Sequence, residues 1–207
     1  EKQLAAYERV LSDDFWLAFA RDPEPQLLYL ETTIAPMQKD GARHFMNYMG
    51  TDLALFQKSF AKFSLVRGTE VPAGRRGMLL NNGYYEKRIK HRVARVFDKI
   101  EEQRREYQKT IAEDPALAAQ TKRLPRQYKR ITFQLDPAEA VALTGLLRTE
   151  LGDQKAPLSE LLQRFLRLDD DNFAKRHAFF YEHIAPRIKL YDYEIGDTIT
   201  ITSVTQN

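Results

Sequence analysis

The apolar positions of the first twenty residues fall at spacings of three and four. Leu4, Tyr7, Leu11, Phe15 and Ala18 recur with charged residues between them, the period of an amphipathic helix over 2–20. Asp22, Pro23 and Pro25 mark its end. Leu28, Leu30, Thr32 and Ile34 then alternate, which predicts a strand with one buried face. After a loop from Pro36 to Gly41, a second strand is expected at His44 to Met49. Gly50, Thr51 and Asp52 make a turn, and Thr51 or Asp52 can cap a short helix carrying Leu53, Phe56 and Phe60. Residues 68–77, with Gly68, Pro72, Gly74 and Gly77, read as a loop, and Met78 to Asn82 as a short buried strand.

The longest helix is predicted from Tyr84 to Ile111. Its seam of Tyr85, Ile89, Val93, Val96, Ile100, Tyr107 and Ile111 is narrow, as in a helix that projects or pairs in a coiled-coil manner. Asp114 and Pro115 break it. Tyr128 to Leu135 is the clearest alternating strand, with Ile131, Phe133 and Leu135 set against Thr132 and Gln134. Asp136-Pro137-Ala138-Glu139 is a helix start: an N-cap, Pro at the first helical position and Glu at the third. That helix carries Val141, Leu143, Leu147 and Leu151 and ends at Gly152. Another opens near Pro157 and buries Leu158, Leu161, Leu162, Phe165 and Leu166. A further one runs from Asn172 to Ile184, stopped by Pro186. Gly196-Asp197 precedes a β-branched strand, Thr198 to Val204. Together these elements predict an α+β fold. A small β-containing platform from 1–83 and 189–207 is interrupted by a large, mostly helical insertion at 84–188.

Composition narrows the functions available. With 43% hydrophobic and 29% charged residues, the 207-residue chain can build a core and is unlike a disordered tail. The absence of cysteine excludes disulfides, thiolate zinc sites and a cysteine nucleophile. No apolar run approaches the roughly 18–20 residues that span a bilayer, and no signal peptide is visible. Glu1 and Asn207 are expected to be the ends of a piece cut from a larger protein.

Lys and Arg number 32 against 29 Asp and Glu, a net charge of only +3, so binding to polyanions requires local clustering. Two acid-free runs supply it. One is Lys87, Arg88, Lys90, Arg92 and Arg95; the other is Lys122, Arg123, Arg126, Lys129 and Arg130, with Tyr128 inside it. Lys87, Arg88, Arg92, Arg95, Lys122, Arg123 and Arg126 are the candidate anion or partner contacts, able to grip phosphates of nucleic acid or of lipid headgroups. Solvated surface is the commoner role of such runs.

Catalytic signals are poor. No two of His44, His91, His177 and His183 have the i,i+4 spacing of a helical zinc site. Asp169-Asp170-Asp171-Asn172 resembles a fragment of a calcium loop, lacks its Gly and distal Glu, and suits a helix cap. No nucleophile elbow or nucleotide-binding loop occurs, and Gly74-Arg75-Arg76-Gly77 reads as a solvated turn. No catalytic residue, cofactor or metal is expected. An enzyme would need a site assembled from dispersed loops, for instance around His177, His183 and Asp169–Asp171.

One ordered set of motifs resembles a known family. Tyr48-Met49-Gly50-Thr51-Asp52 followed by Leu55-Phe56 is similar to the "strand, Gly-x-Asp, helix with Phe" pattern of the extracytoplasmic domain in MacB/FtsX-type ABC transporter permeases. Leu65-Val66-Arg67-Gly68, Pro72, Gly74 and Gly77-Met78-Leu79-Leu80-Asn81 resemble that family's loop leading into its next strand. Tyr193-Glu194-Ile195-Gly196-Asp197-Thr198-Ile199-Thr200-Ile201 is similar to its "Ile/Val-Gly-Asp-x-Ile/Val" strand. The match covers about 44–85 and 191–204. In typical members the Gly-Asp strand follows soon after the helix, so the intervening segment here reads as a helical insertion for which the family offers no role.

This resemblance implies a MacB-like periplasmic core in a bacterial cell membrane protein, with the present domain periplasmic or extracellular. The helix at 2–20 would continue a first transmembrane helix. The implied partners are an ATP-binding subunit, a second permease subunit and a periplasmic protein, with no nucleic acid expected. The implied function is non-catalytic: ATP hydrolysis in the cytoplasm is coupled to lipoprotein or substrate export, or to regulation of a cell-wall hydrolase. The alternative is a basic nucleic-acid-binding or scaffold domain using Lys87–Arg95 and Lys122–Arg130.

Overall fold

The computed structural model describes residues 2–35, 49–72 and 74–197. The described residues are mostly helical and hold no sheet. Their one strand-like pairing is an antiparallel bridge between Lys90 and Tyr191. The expected α+β fold is therefore corrected to a mostly helical one. The strands expected at 44–49 and 198–204 fall almost wholly outside the described residues, and those expected elsewhere are helices or irregular chain.

Two compact units are present, one made of residues 1–41 and 91–190, the other of 42–90 and 191–207. Residues 1–41 thus cluster with the helical middle, where the hydrophobic pattern grouped them with 42–83.

In the first unit, the helix expected over 2–20 is two helices, α1 (Lys2–Leu11) and α2 (Asp13–Arg21). Ser12 separates them because its hydroxyl accepts the Phe15 N–H and caps α2. Asp22 then ends α2 and caps α3 (Pro23–Tyr29), whose first position is proline. A π-helical turn, Leu30–Ile34, continues α3 where a strand was expected. Leu28 and Thr32 are i,i+4 as well as alternating, and the Thr32 hydroxyl donates to the Leu28 carbonyl at 2.8 Å. Helical burial wins because α3 packs on α9 (Pro137–Leu151), with Glu24 pairing to Arg148 at 2.6 Å.

The predicted 84–111 helix is broken. A short α5 (Asn82–Tyr84) and a π-helical turn (Tyr85–Ile89) belong to the second unit, and α6 (Arg92–Tyr107) to the first. Lys90, between them, is extended (φ −62°, ψ 144°). Gln108, in the left-handed region at φ 52°, ends α6 well before Ile111. Instead of projecting, α6 buries Val93, Ala94, Phe97 and Ile100.

After α6 come α7 (Pro115–Arg123), a 3-10 turn (Leu124–Gln127) and α8 (Lys129–Thr132), which replace the strand expected at 128–135. Leu124, Ile131 and Leu135 are all buried here, at 1%, 0% and 2% exposure. The start of α9 is as its sequence predicts: Asp136 accepts the Glu139 N–H at 2.8 Å, Pro137 is first, and Gly152 closes the helix at φ 67°. α10 (Leu158–Phe165) buries all the leucines assigned to it. α11 (Phe173–Phe179) extends through a π-helical turn to Ile184. A core cluster runs from Val93 to Ile188 and includes Phe97, which stacks on Phe180 at 4.6 Å between ring centres.

In this unit Glu31 sits half-buried, with Lys129 and Thr132 beside it. Burial raises its pKa above the ordinary 4.5, against the opposing pull of the Lys129 charge and a Thr132 hydrogen bond. A carboxyl with a raised folded-state pKa binds its proton more tightly in the folded chain. Its penalty is absent below the ordinary value and appears as pH rises through the folded one. Glu31→Gln is therefore expected to raise the melting temperature at neutral pH, with the gain vanishing in acid below 4.5. Thermal melts of both forms across that range check this.

In the second unit, Asp52 caps α4 (Leu53–Ser59) by accepting the Leu55 N–H at 3.0 Å. Phe56, Phe60 and Phe63 cluster around it. Of the strand expected at Met78 to Asn82, residues 78–81 are irregular and Asn82 opens α5, which Asn81 caps by accepting the Tyr84 N–H.

Candidate functional site

Basic residues carry the only candidate contacts in the sequence, and the structure treats the two runs differently. Lys87 and Arg88 are exposed in the second unit, whereas Arg92 and Arg95 belong to the first, exposed and half-buried respectively. Lys90 is not an open cation. Its Nζ lies 3.2 Å from Glu86 and 5.8 Å from the Tyr191 ring centre. The first run is therefore divided and partly neutralised.

The second run stays together. From α7 through the 3-10 turn into α8, Thr121, Leu124, Ile131 and Thr132 are buried and Tyr128 packs against the core. Lys122, Arg123, Arg126, Lys129 and Arg130 are all exposed. Buried and exposed positions each recur at three or four residues, so the five cations share one side of a nearly continuous helical path. At about 1.5–2 Å per residue this side is on the order of 12–16 Å long. Lys122 and Arg123 close α7, where the negative end of the helix dipole favours cations. Among the described residues, no carboxylate forms a salt bridge with Lys122, Arg123 or Arg126. The ring Nε2 of His91 lies 3.2 Å from the Arg130 carbonyl oxygen, which brings the Arg92 end of α6 beside this run. Lys129 and Arg130 thus join the same face as three of the seven candidate contacts.

The second unit has a polar cluster that the sequence did not signal. Tyr85 and Tyr191 stack at 4.5 Å with an interplanar angle of 10°. The Tyr191 hydroxyl donates to Glu86 at 3.1 Å, and the Tyr85 hydroxyl to the Tyr193 carbonyl at 3.1 Å. Burial raises the Tyr85 pKa, and its neighbour Tyr191 adds to the rise. The Arg67 guanidinium lies 6.0 Å from the Tyr191 ring centre and 4.0 Å from Glu86. These partners are distant in sequence, so no local pattern announces them.

The groups considered for catalysis have structural partners. Asp170 accepts the Ile111 and Ala112 N–H groups at 2.7 and 3.1 Å, and Arg104 at 3.1 Å. Asp169 accepts the Asp171 and Asn172 N–H groups in the turn before α11, whose N-cap residue Asn172 makes no side-chain capping bond, so the expected helix cap is a turn contact instead. His177 packs among Phe97, Phe173 and Tyr181, and His183 lies edge-on to Phe179. His44 lies outside the described residues. Among the described residues, no His, Asp or Glu side chains gather as metal ligands would. An open groove of about 440 Å³ is lined by residues including Ile111, Ala118, Leu168, Lys122 and Asp170, and its carboxylates at 169 and 170 are those already engaged.

Among the described residues no helix is long and apolar enough to cross a membrane. No protein-family model, curated protein or solved structure matches this chain.

Proposed function

We propose that the chain is a non-catalytic extracytoplasmic part of a MacB/FtsX-type ABC transporter permease. In this reading it couples ATP hydrolysis by a cytoplasmic subunit to work outside that compartment, alongside a second permease subunit. One observation carries the reading. The two stretches bearing the resembling motifs form a single unit, 42–90 with 191–207, although residues 91–190 lie between them. Within that unit the Asp192 N–H donates to the Ile89 carbonyl at 3.0 Å, next to the Lys90–Tyr191 bridge.

Local details agree with the motif chemistry. Gly68 and Gly196 adopt φ of +82° and +97°, conformations that favour glycine. Asp197 accepts the Glu194 N–H at 2.8 Å, bonding its own turn as the Gly-Asp motif requires. The intervening segment has the form of an insertion, because its ends meet: the His91 N–H donates to the Leu190 carbonyl at 2.7 Å. The reading rests on motif order and this pairing, and it drops the β platform. The helical unit is then the part free to dock a periplasmic protein.

The absence of cysteine makes the compartment directly testable. Ala142 is exposed on α9, so Ala142→Cys gives a single reporter thiol. With the variant expressed from its own gene, a membrane-impermeant maleimide is expected to label it in intact spheroplasts. Labelling that appears only after lysis sinks the proposal, as does ATP hydrolysis by the purified chain.

A further inference from the structure

We propose that Lys122, Arg123, Arg126, Lys129 and Arg130 form an electrostatic docking stripe for the anionic headgroups of a lipid bilayer. Five exposed cations lie along one side of the path from α7 to α8, with no acid between the first and the last. Clusters of four to eight such residues on a helical surface are attracted to anionic membranes, each adding about fivefold to partitioning. Among the described residues, the carboxyls near this face are Glu31, half-buried by Lys129, and Asp169 and Asp170, which border the same groove as Lys122 and are engaged by backbone N–H groups and Arg104.

The character of the stripe favours a bilayer over nucleic acid. Between 122 and 130 it offers no open aromatic ring on which a base could stack. Tyr128 is packed against the core, and the Gln127 side-chain oxygen accepts the Arg130 Nε–H at 2.8 Å. A short row of exposed cations matches a field of headgroup phosphates, where register is immaterial. Proximity to a membrane is the part of the inference that rests on the permease reading.

The test uses the whole 207-residue chain and co-sedimentation with vesicles of phosphatidylcholine, with and without phosphatidylglycerol. Binding is expected only to the anionic vesicles, and to be lost in about 1 M salt, where the screening length falls to ~3 Å. The triple variant Lys122→Gln/Arg123→Gln/Arg126→Gln, exposed at all three positions, is expected to lower the partition coefficient on the order of 100-fold. Arg126→Gln alone gives about fivefold and serves if the triple variant melts early. Neutralising Lys58, Lys62 and Arg105, exposed elsewhere, leaves binding near that of the parent.

Equal binding by parent and triple variant overturns the proposal, and so does equal binding to neutral vesicles. Competition by millimolar glycerol phosphate would mark a small-anion site instead of a surface. Tighter binding to a DNA duplex at the same salt would assign the stripe to nucleic acid. Failure here leaves the thiol-labelling result intact, and labelling only after lysis leaves vesicle binding intact, so the two readings fail separately.

Discussion

Phe97→Ala is expected to destabilise the helical unit by about 3–5 kcal/mol, the range for truncating a fully buried aromatic. Phe97 is 0% exposed and sits mid-way along α6. Its ring stacks on Phe180 at 4.6 Å and lies 6.1 Å from Phe173 and 6.4 Å from Phe165. Removing it leaves a cavity bordered by three other aromatic rings from α10, α11 and the π-helical turn. Those rings are themselves fixed by neighbours, so little collapse can fill the void. The loss is a large share of the roughly 5–15 kcal/mol by which domains are stable. Urea unfolding should give a lower midpoint with an unchanged slope. Phe97→Leu, which keeps much of the volume, should cost far less. A loss under about 1 kcal/mol would mean that this core is not tightly packed.

Asp170→Ala is expected to cost about 2–4 kcal/mol, because charged hydrogen bonds contribute more than neutral ones and an orphaned donor adds its desolvation penalty. The carboxylate holds three donors at once: the Ile111 and Ala112 N–H groups and the Arg104 guanidinium. Ile111 is only 5% exposed, so water cannot readily replace the bond at its amide. Amide hydrogen exchange at 111 and 112 should accelerate far more than at α9, which separates a local from a global effect. Asp170→Asn should fall between, since an amide oxygen still accepts but the charge facing Arg104 is gone. Unchanged exchange at 111 and 112 would contradict this role.

The helical segments misread as strands at 28–34 and 128–135 share one cause. Ile131 and Leu135 alternate across Phe133, but they are also four apart, and the same holds for Leu28 and Thr32. Two residues of one short segment satisfy both periods, so burial on a neighbour decides between them. Around 131 that neighbour is the core; around 32 it is α9. At Lys90 the helical pattern runs on unbroken, yet the chain turns extended because it pairs with Tyr191, a hundred positions away in order of magnitude.

Elements whose ends carry their own chemistry were legible from the chain alone. Asp136-Pro137 with Gly152 bounds α9, Asp52 caps α4, and the leucines of α10 face inward as their spacing requires. The acid-free run at 122–130 was equally plain. Its gathering on one side of a helical path was not, since that needs Leu124 and Ile131 to be buried by elements distant in sequence. Nor could the sequence reveal that Lys90 is held by Glu86 and Tyr191, or that Asp170 is occupied by Arg104 and two backbone amides. Capping and turn chemistry act within a few residues, so sequence alone determines them. Choice of helix over strand, and which charges remain open to a partner, depend on contacts between distant segments, and only the tertiary structure decided them.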